Sequence, residues 1–116
     1  MEQSDGVIAS TKPIDDGLVV VPDGEIDFSR SPVLRTELLI LLENHNPQRL
    51  VIDLSQVQYM DSSGVATLVE AMQFQLKKGK KLVLCSMQPK VLSIFQIARL
   101  DMVFTICDDA EAAVKA

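Results

Sequence analysis

Tryptophan is absent from this 116-residue chain, and aromatic residues of all kinds make up only 4%. That removes the usual stacking platforms for nucleic-acid bases. Positive charge is scarce as well: 11 Lys and Arg stand against 16 Asp and Glu, for a net charge of -5 and a pI near 4.7. Such a surface repels phosphate backbones, so nucleic acid is not an expected partner. There are two cysteines, Cys85 and Cys107, without CxxC spacing, and one histidine, His45. Three such ligands fall short of the four a structural zinc site wants, and both thiols read as reduced apolar core residues. The longest aliphatic run, Leu38 to Leu42, is five residues, far below the ~20 of a membrane span. Met1-Glu2-Gln3-Ser4-Asp5 is acidic, with no apolar stretch behind it to suggest a signal peptide. The expectation is a soluble, cytoplasmic chain that folds without metal or disulfide.

What is present is a single domain's worth of alternating strand and helix patterns. Residues 1–14 read as a flexible segment or a short edge strand around Val7-Ile8-Ala9, and residues 15–116 as the domain. Gly17–Pro22 is a β-branched run between turn residues. Asp23-Gly24 suggests a turn, and Glu25-Ile26-Asp27 continues in extended form. A helix starts near Ser29 or Ser31, since Pro32 suits a first helical turn; Leu34, Leu38, Leu41 and Leu42 form its apolar face. Asn44-His45-Asn46-Pro47 stops it, and His45 reads as a residue favouring the helix dipole. Arg49–Leu54 is a second strand, and Ser55 to Met60 reads as a loop. Val65, Leu68, Val69, Met72 and Leu76 then mark a helix closed by Lys77-Lys78-Gly79-Lys80-Lys81. Gly79 is its expected left-handed cap, and the lysines complement the dipole; an anion patch is the functional alternative. Leu82–Cys85, a helix from Pro89, a strand over Met102–Ile106 and a last helix capped at Asp108-Asp109-Ala110-Glu111 complete the order. Strands alternating with helices predict an α/β fold: a small, mostly parallel, mixed sheet flanked by about four helices. Ligands and partners of such sheets meet loops at the carboxyl ends of strands, here Glu25–Ser31, Ser55–Gly64 and Cys85–Pro89.

Tyr59-Met60-Asp61-Ser62-Ser63-Gly64-Val65 is the richest segment. Its plainest reading is a helix start with a surplus of capping side chains. A helix N-terminus also favours negative charge, so a hydroxyl there accepts a phosphate without severe penalty to its own fold. Nucleophilic catalysis has little support. Neither serine has a Gly two residues before it, as a hydrolase elbow requires, and Ser62 has no evident base. No phosphate-binding or dinucleotide glycine pattern exists. Glu25 and Asp27 share a face of an extended segment, which reads as a solvated strand end.

These residues resemble the STAS family, and within it the bacterial anti-sigma factor antagonists. The resemblance covers roughly residues 15–115. It rests on Met60-Asp61-Ser62-Ser63-Gly64 after a Leu-Val-Ile-Asp-Leu strand, and on the Gly24-Glu25-Ile26-Asp27 turn. It implies that Ser62 is phosphorylated by an anti-sigma factor that is itself a serine kinase. The unphosphorylated form would bind that kinase and free a sigma factor; a PP2C-type phosphatase would restore it. Asp27 matches a position beside the phosphoacceptor. Phe28-Ser29-Arg30 departs from the family pattern, with Phe28 as a specificity element. The expected partner surface is Asp27, Phe28, Ser29, Met60, Asp61, Ser63, Gly64 and Val65, with Met60 and Val65 as exposed apolar contacts and Ser63 chiefly a helix cap. Neither catalysis nor a cofactor is implied, and the free chain is expected to be a monomer. Other family members are scaffold subunits of lipid transporters or signalling assemblies, where the serine is never modified, and the residues leave that alternative open.

Overall fold

In the computed structural model, which describes residues 6–116, the β-branched runs form the middle of a sheet. The elements in chain order are β1 (Ile8–Ile14), β2 (Gly17–Pro22), β3 (Gly24–Ile26), α1 (Ser31–His45), β4 (Arg49–Asp53), β5 (Val57–Met60), α2 (Ser62–Lys77), β6 (Lys81–Cys85), α3 (Pro89–Ile97), a 3-10 turn (Leu100–Met102), β7 (Thr105–Cys107) and α4 (Ala110–Ala113). The main sheet has the order β1-β2-β4-β6-β7. Its β1–β2 pair is antiparallel and the other three are parallel. This is the mixed α/β fold with four helices that the alternating pattern implies.

Leucines at helical spacing on α1 (Leu34, Leu38, Leu42) meet Leu50, Ile52 and Leu84 from the sheet in one large core. Leu68 and Met72 of α2 and Val91 and Phe95 of α3 join it. A smaller cluster of Val19, Val51, Val83 and Cys85 is covered by Ala113 of α4. Arg49 secures that cover by donating to the carbonyls of Ala113 (3.4 Å) and Val114 (2.8 Å). Buried Gln75 stitches the far end of the fold, its amide donating to the carbonyls of Pro47 (3.0 Å) and Lys81 (2.8 Å). Such a side chain is tolerated inside only because its donors are satisfied.

Several expectations change. Residues 1–5 lie outside the described residues, so that part of the flexible-segment reading is not addressed. The edge strand is longer than Val7–Ala9: β1 runs to Ile14, and Glu37 Oε1 accepts from the amides of Val7 and Ile8 to hold its start. Ser55 to Met60 is not all loop, because Val57–Met60 pairs in parallel with β3 as a separate two-stranded sheet. Its sequence hides this: the exposed residues, Gln58 and Tyr59, are adjacent rather than alternating. The strand expected over Met102–Ile106 is displaced to Thr105–Cys107. Arg99 adopts a left-handed conformation (φ 60°) and starts the 3-10 turn, leaving Met102 and Val103 exposed while Phe104 packs edge-on against Phe95. Helix α1 begins at Ser31 with Arg30 before it, and neither Ser29 nor Ser31 supplies a side-chain cap. Gly79 does take the left-handed conformation (φ +69°). Cys85 is buried, which pushes its thiol up to about 11, whereas Cys107 is only half-buried and so is not fully a core residue.

Candidate functional site

The small β3–β5 sheet places two strand ends side by side, with Ile26 in register with Met60. The next residue on each strand is an aspartate: Asp27 leads into α1 and Asp61 into α2. The amide of Asp61 donates to the Ile26 carbonyl (3.2 Å), which extends the pairing to the start of α2.

Asp61 is the N-cap of α2, in extended conformation, and its carboxylate gathers both loops. Oδ1 accepts from the amide and hydroxyl of Ser63 (2.9 and 2.5 Å) and from the amide of Gly64 (3.3 Å). Oδ2 accepts from the amide of Phe28 (3.1 Å), 33 positions away. Asp27 organises the other loop. Its Oδ1 accepts from the Ser29 hydroxyl (2.6 Å) and from the amides of Ser29 (3.0 Å) and Arg30 (3.2 Å). The side chain that shapes the entry to α1 is therefore Asp27, where Ser29 or Ser31 was the expected choice.

The two serines of the motif differ sharply. The Ser63 hydroxyl donates to Asp61 and accepts from the hydroxyl of Ser31 (3.0 Å), a residue only 5% exposed. Both of its roles are taken. Ser62 is exposed on the first turn of α2, and its hydroxyl makes no hydrogen bond among the described residues. Of the two, Ser62 alone presents a free hydroxyl.

Met60 does not form an exposed contact. It is 1% exposed and belongs to the core with Ile26 and Val57, because β5 turns it inward. Val65 is half-buried against the same core. Gly64 is buried, and a Cβ there would lie 2.6 Å from Met60 Cγ and 2.9 Å from the Ile26 carbonyl oxygen, so it permits the close approach of α2 to β3. Met60 and Gly64 thus sit beneath the surface, while Phe28 (77% exposed), Ser29 and Ser62 form it, with Asp27 and Asp61 half-buried among them. Three contributors were not anticipated. Tyr59 is half-exposed and in register with Glu25. Arg30 donates to the carbonyls of Asp23 (2.8 Å) and Glu25 (2.6 Å), which braces the Gly24 turn. Ser31 holds Ser63. Only Tyr59, the single tyrosine, had a compositional signal. The third expected loop touches the second through the Gln88 amide, which donates to the Ser55 carbonyl (3.1 Å).

Both aspartates are held below the ordinary carboxylate value of 3.8. For Asp27 the leading cause is the Ser29 hydroxyl; for Asp61 it is the Ser63 hydroxyl, with the amides of Gly64, Ser63 and Phe28 adding to it. A carboxylate whose folded pKa is depressed adds stability above its unfolded value, and that contribution is lost as pH falls through the folded value. The Phe28 amide resonance should therefore stay constant through neutral and mildly acidic pH and move only as pH falls below the ordinary carboxylate value, as Asp61 takes up a proton. A midpoint at or above the ordinary carboxylate value of 3.8 in an NMR titration would contradict the clasp.

A family model of the STAS domain matches residues 7–113. The anti-sigma-B factor antagonist of Bacillus subtilis is 33% identical over 79% of this chain and 83% of its own length. The crystal structure of an anti-sigma factor antagonist from Mycobacterium paratuberculosis superposes with a TM-score of 0.84 at 24% identity, covering 99% of this chain and 97% of the other. The Bacillus cell fate determinant SpoIIAA, solved in its phosphorylated form, superposes with a TM-score of 0.69 at 18% identity, covering 91% and 96%. With the family model matching residues 7–113, nearly the whole chain, this protein belongs to the STAS domain family.

Proposed function

We propose that the chain is an anti-sigma factor antagonist, a protein-binding switch set by phosphorylation of Ser62. In the unphosphorylated form it binds an anti-sigma factor that is a serine kinase, and so frees a sigma factor in the cytoplasm. The kinase moves the γ-phosphoryl group of ATP to Ser62 Oγ; the hydroxyl proton leaves and ADP is released. A PP2C-type phosphatase hydrolyses the phosphoserine and restores binding. The observation that carries this reading is the contrast between Ser62, exposed and unbonded, and Ser63, tied to Asp61 and Ser31. Likeness to the Bacillus subtilis antagonist supports it.

The docking surface in this reading is Phe28 and Ser29 on one loop and Ser62 on the other. Asp27 and Asp61 hold those loops in shape. A phosphate adds about -1.5 to -2 charges where the partner must close on an exposed aromatic ring, and that charge must be desolvated or rejected. Incubation with the serine-kinase anti-sigma factor of the same organism and ATP, followed by peptide mass spectrometry, tests the acceptor. The expected result is a single phosphate on Ser62; phosphate on Ser63 or elsewhere overturns the assignment.

A further inference from the structure

The lysine run that closes α2 is not absorbed by the phosphoswitch. Lys77, Lys78, Lys80 and Lys81 hold four of the chain's 11 positive charges within five positions. Complementing a helix dipole needs fewer, and the effect fades beyond the last turn. Among the described residues no Asp or Glu forms an ion pair with any of the four, and the three ion pairs there involve Arg30, Arg35 and Arg49. Lys78 lies over the Phe74 ring (4.6 Å), Lys80 donates to Asn46, and Lys81 is 3.5 Å from the Ala116 carbonyl oxygen. The cluster is thus positive charge that no carboxylate side chain among the described residues pairs with, on a chain of net charge -5.

Beside it is a cleft of about 180 Å³ lined by Met72, Leu76, Leu82 and Val103, with Lys80 and Lys81 on its rim. Leu76 is 60% and Val103 56% exposed, so two large aliphatic side chains face water at its mouth. Thr105 and Ala116 also line the cleft, which lies where β6 and β7 begin. The volume is below the roughly 300–1,000 Å³ of small-molecule sites, yet it admits an aliphatic or aromatic side chain.

We infer that this cleft is a second protein-docking surface, taking an acidic peptide segment of a partner that inserts one large apolar side chain between Leu76 and Val103 and sets carboxylates against Lys80 and Lys81. An anionic membrane fits less well: a broad negative surface meets the acidic body of the chain as well as its lysines, whereas a short peptide meets the lysines alone. The site is independent of the phosphoswitch. Leu76 lies fourteen positions after Ser62 along α2, about 21 Å at ~1.5 Å per residue, so both faces can be occupied together.

The test is selection of a random 12-residue phage-displayed peptide library on the full chain, counter-selected against Leu76→Gln and Lys81→Glu. Both positions are exposed, and circular dichroism checks that each variant is folded. Enriched peptides should carry a Leu, Ile or Phe flanked by Asp or Glu. The best of them should shift the amide resonances of Leu76, Lys81 and Val103, and lose at least tenfold in affinity for either variant. Three results would overturn the inference: no enrichment over the variants; enrichment of neutral or basic peptides; or shifts centred on Phe28 and Ser62. Binding to phosphatidylglycerol vesicles that Lys81→Glu abolishes, without peptide enrichment, would make the surface a membrane contact. A concentration-dependent dimer lost in Leu76→Gln would make it a contact between copies.

Discussion

Ser62→Asp should weaken binding to the anti-sigma factor at least tenfold, while Ser62→Ala should bind within about twofold of wild type and resist phosphorylation. The Ser62 hydroxyl has no partner among the described residues, so its removal leaves no buried group there unsatisfied. Alanine also suits the first turn of a helix, and surface changes of this kind stay within about 0.5 kcal/mol in stability. A carboxylate at the same place brings one negative charge to the surface that, in the proposed function, the partner closes on beside exposed Phe28. Tenfold corresponds to about 1.4 kcal/mol, a modest cost for partly desolvating one charge. Aspartate carries less charge than phosphate, so the mimic is partial. Calorimetry on the two variants measures this. Wild-type affinity for Ser62→Asp would point instead to the scaffold class, in which the serine only starts a helix.

Gly64→Ala should lower stability by roughly 1–2 kcal/mol and the melting temperature by several degrees. Two effects oppose each other. Alanine in place of glycine favours a helix by up to about 1 kcal/mol. The new methyl would lie 2.6 Å from Met60 Cγ and 2.9 Å from both Ile26 Cγ2 and the Ile26 carbonyl oxygen. Met60 and Ile26 are both buried, so neither can swing into solvent. The Ile26 carbonyl also accepts from the Asp61 amide, and moving it disturbs the pairing that aligns the two loops. Overpacking of this kind costs about 1–3 kcal/mol, so the clash outweighs the propensity gain. The Phe28 amide resonance should shift in the same variant, since Asp61 moves with the start of α2. A melting temperature equal to or above wild type would show that α2 does not need this close approach.

Much of the sheet was legible because its central strands are short β-branched runs bounded by turn residues, and the helices because leucines recur at 3.6-residue spacing. Strand β5 was not. Its buried residues, Val57 and Met60, bracket two adjacent exposed ones, a pattern with no period of two. The displacement of β7 follows from a left-handed Arg99, and no glycine marks that turn. In the site, the Asp-Ser-Ser-Gly order was enough to locate the start of α2. The family resemblance already ranks its two serines; the structural reason lies in Ser31, 32 positions earlier, whose hydroxyl reaches Ser63 only once β3 and β5 have paired. The burial of Met60 has the same origin. The Asp61 carboxylate could be read as a cap from sequence, but its second oxygen finds the Phe28 amide through tertiary structure alone.

The most direct measurement is a calorimetric titration of the anti-sigma factor with the unmodified chain and with the chain fully phosphorylated on Ser62. The phosphorylated chain should bind at least 100-fold more weakly, a difference of about 2.8 kcal/mol, and phosphatase treatment should restore the original affinity. Equal affinity of the two forms would contradict the switch.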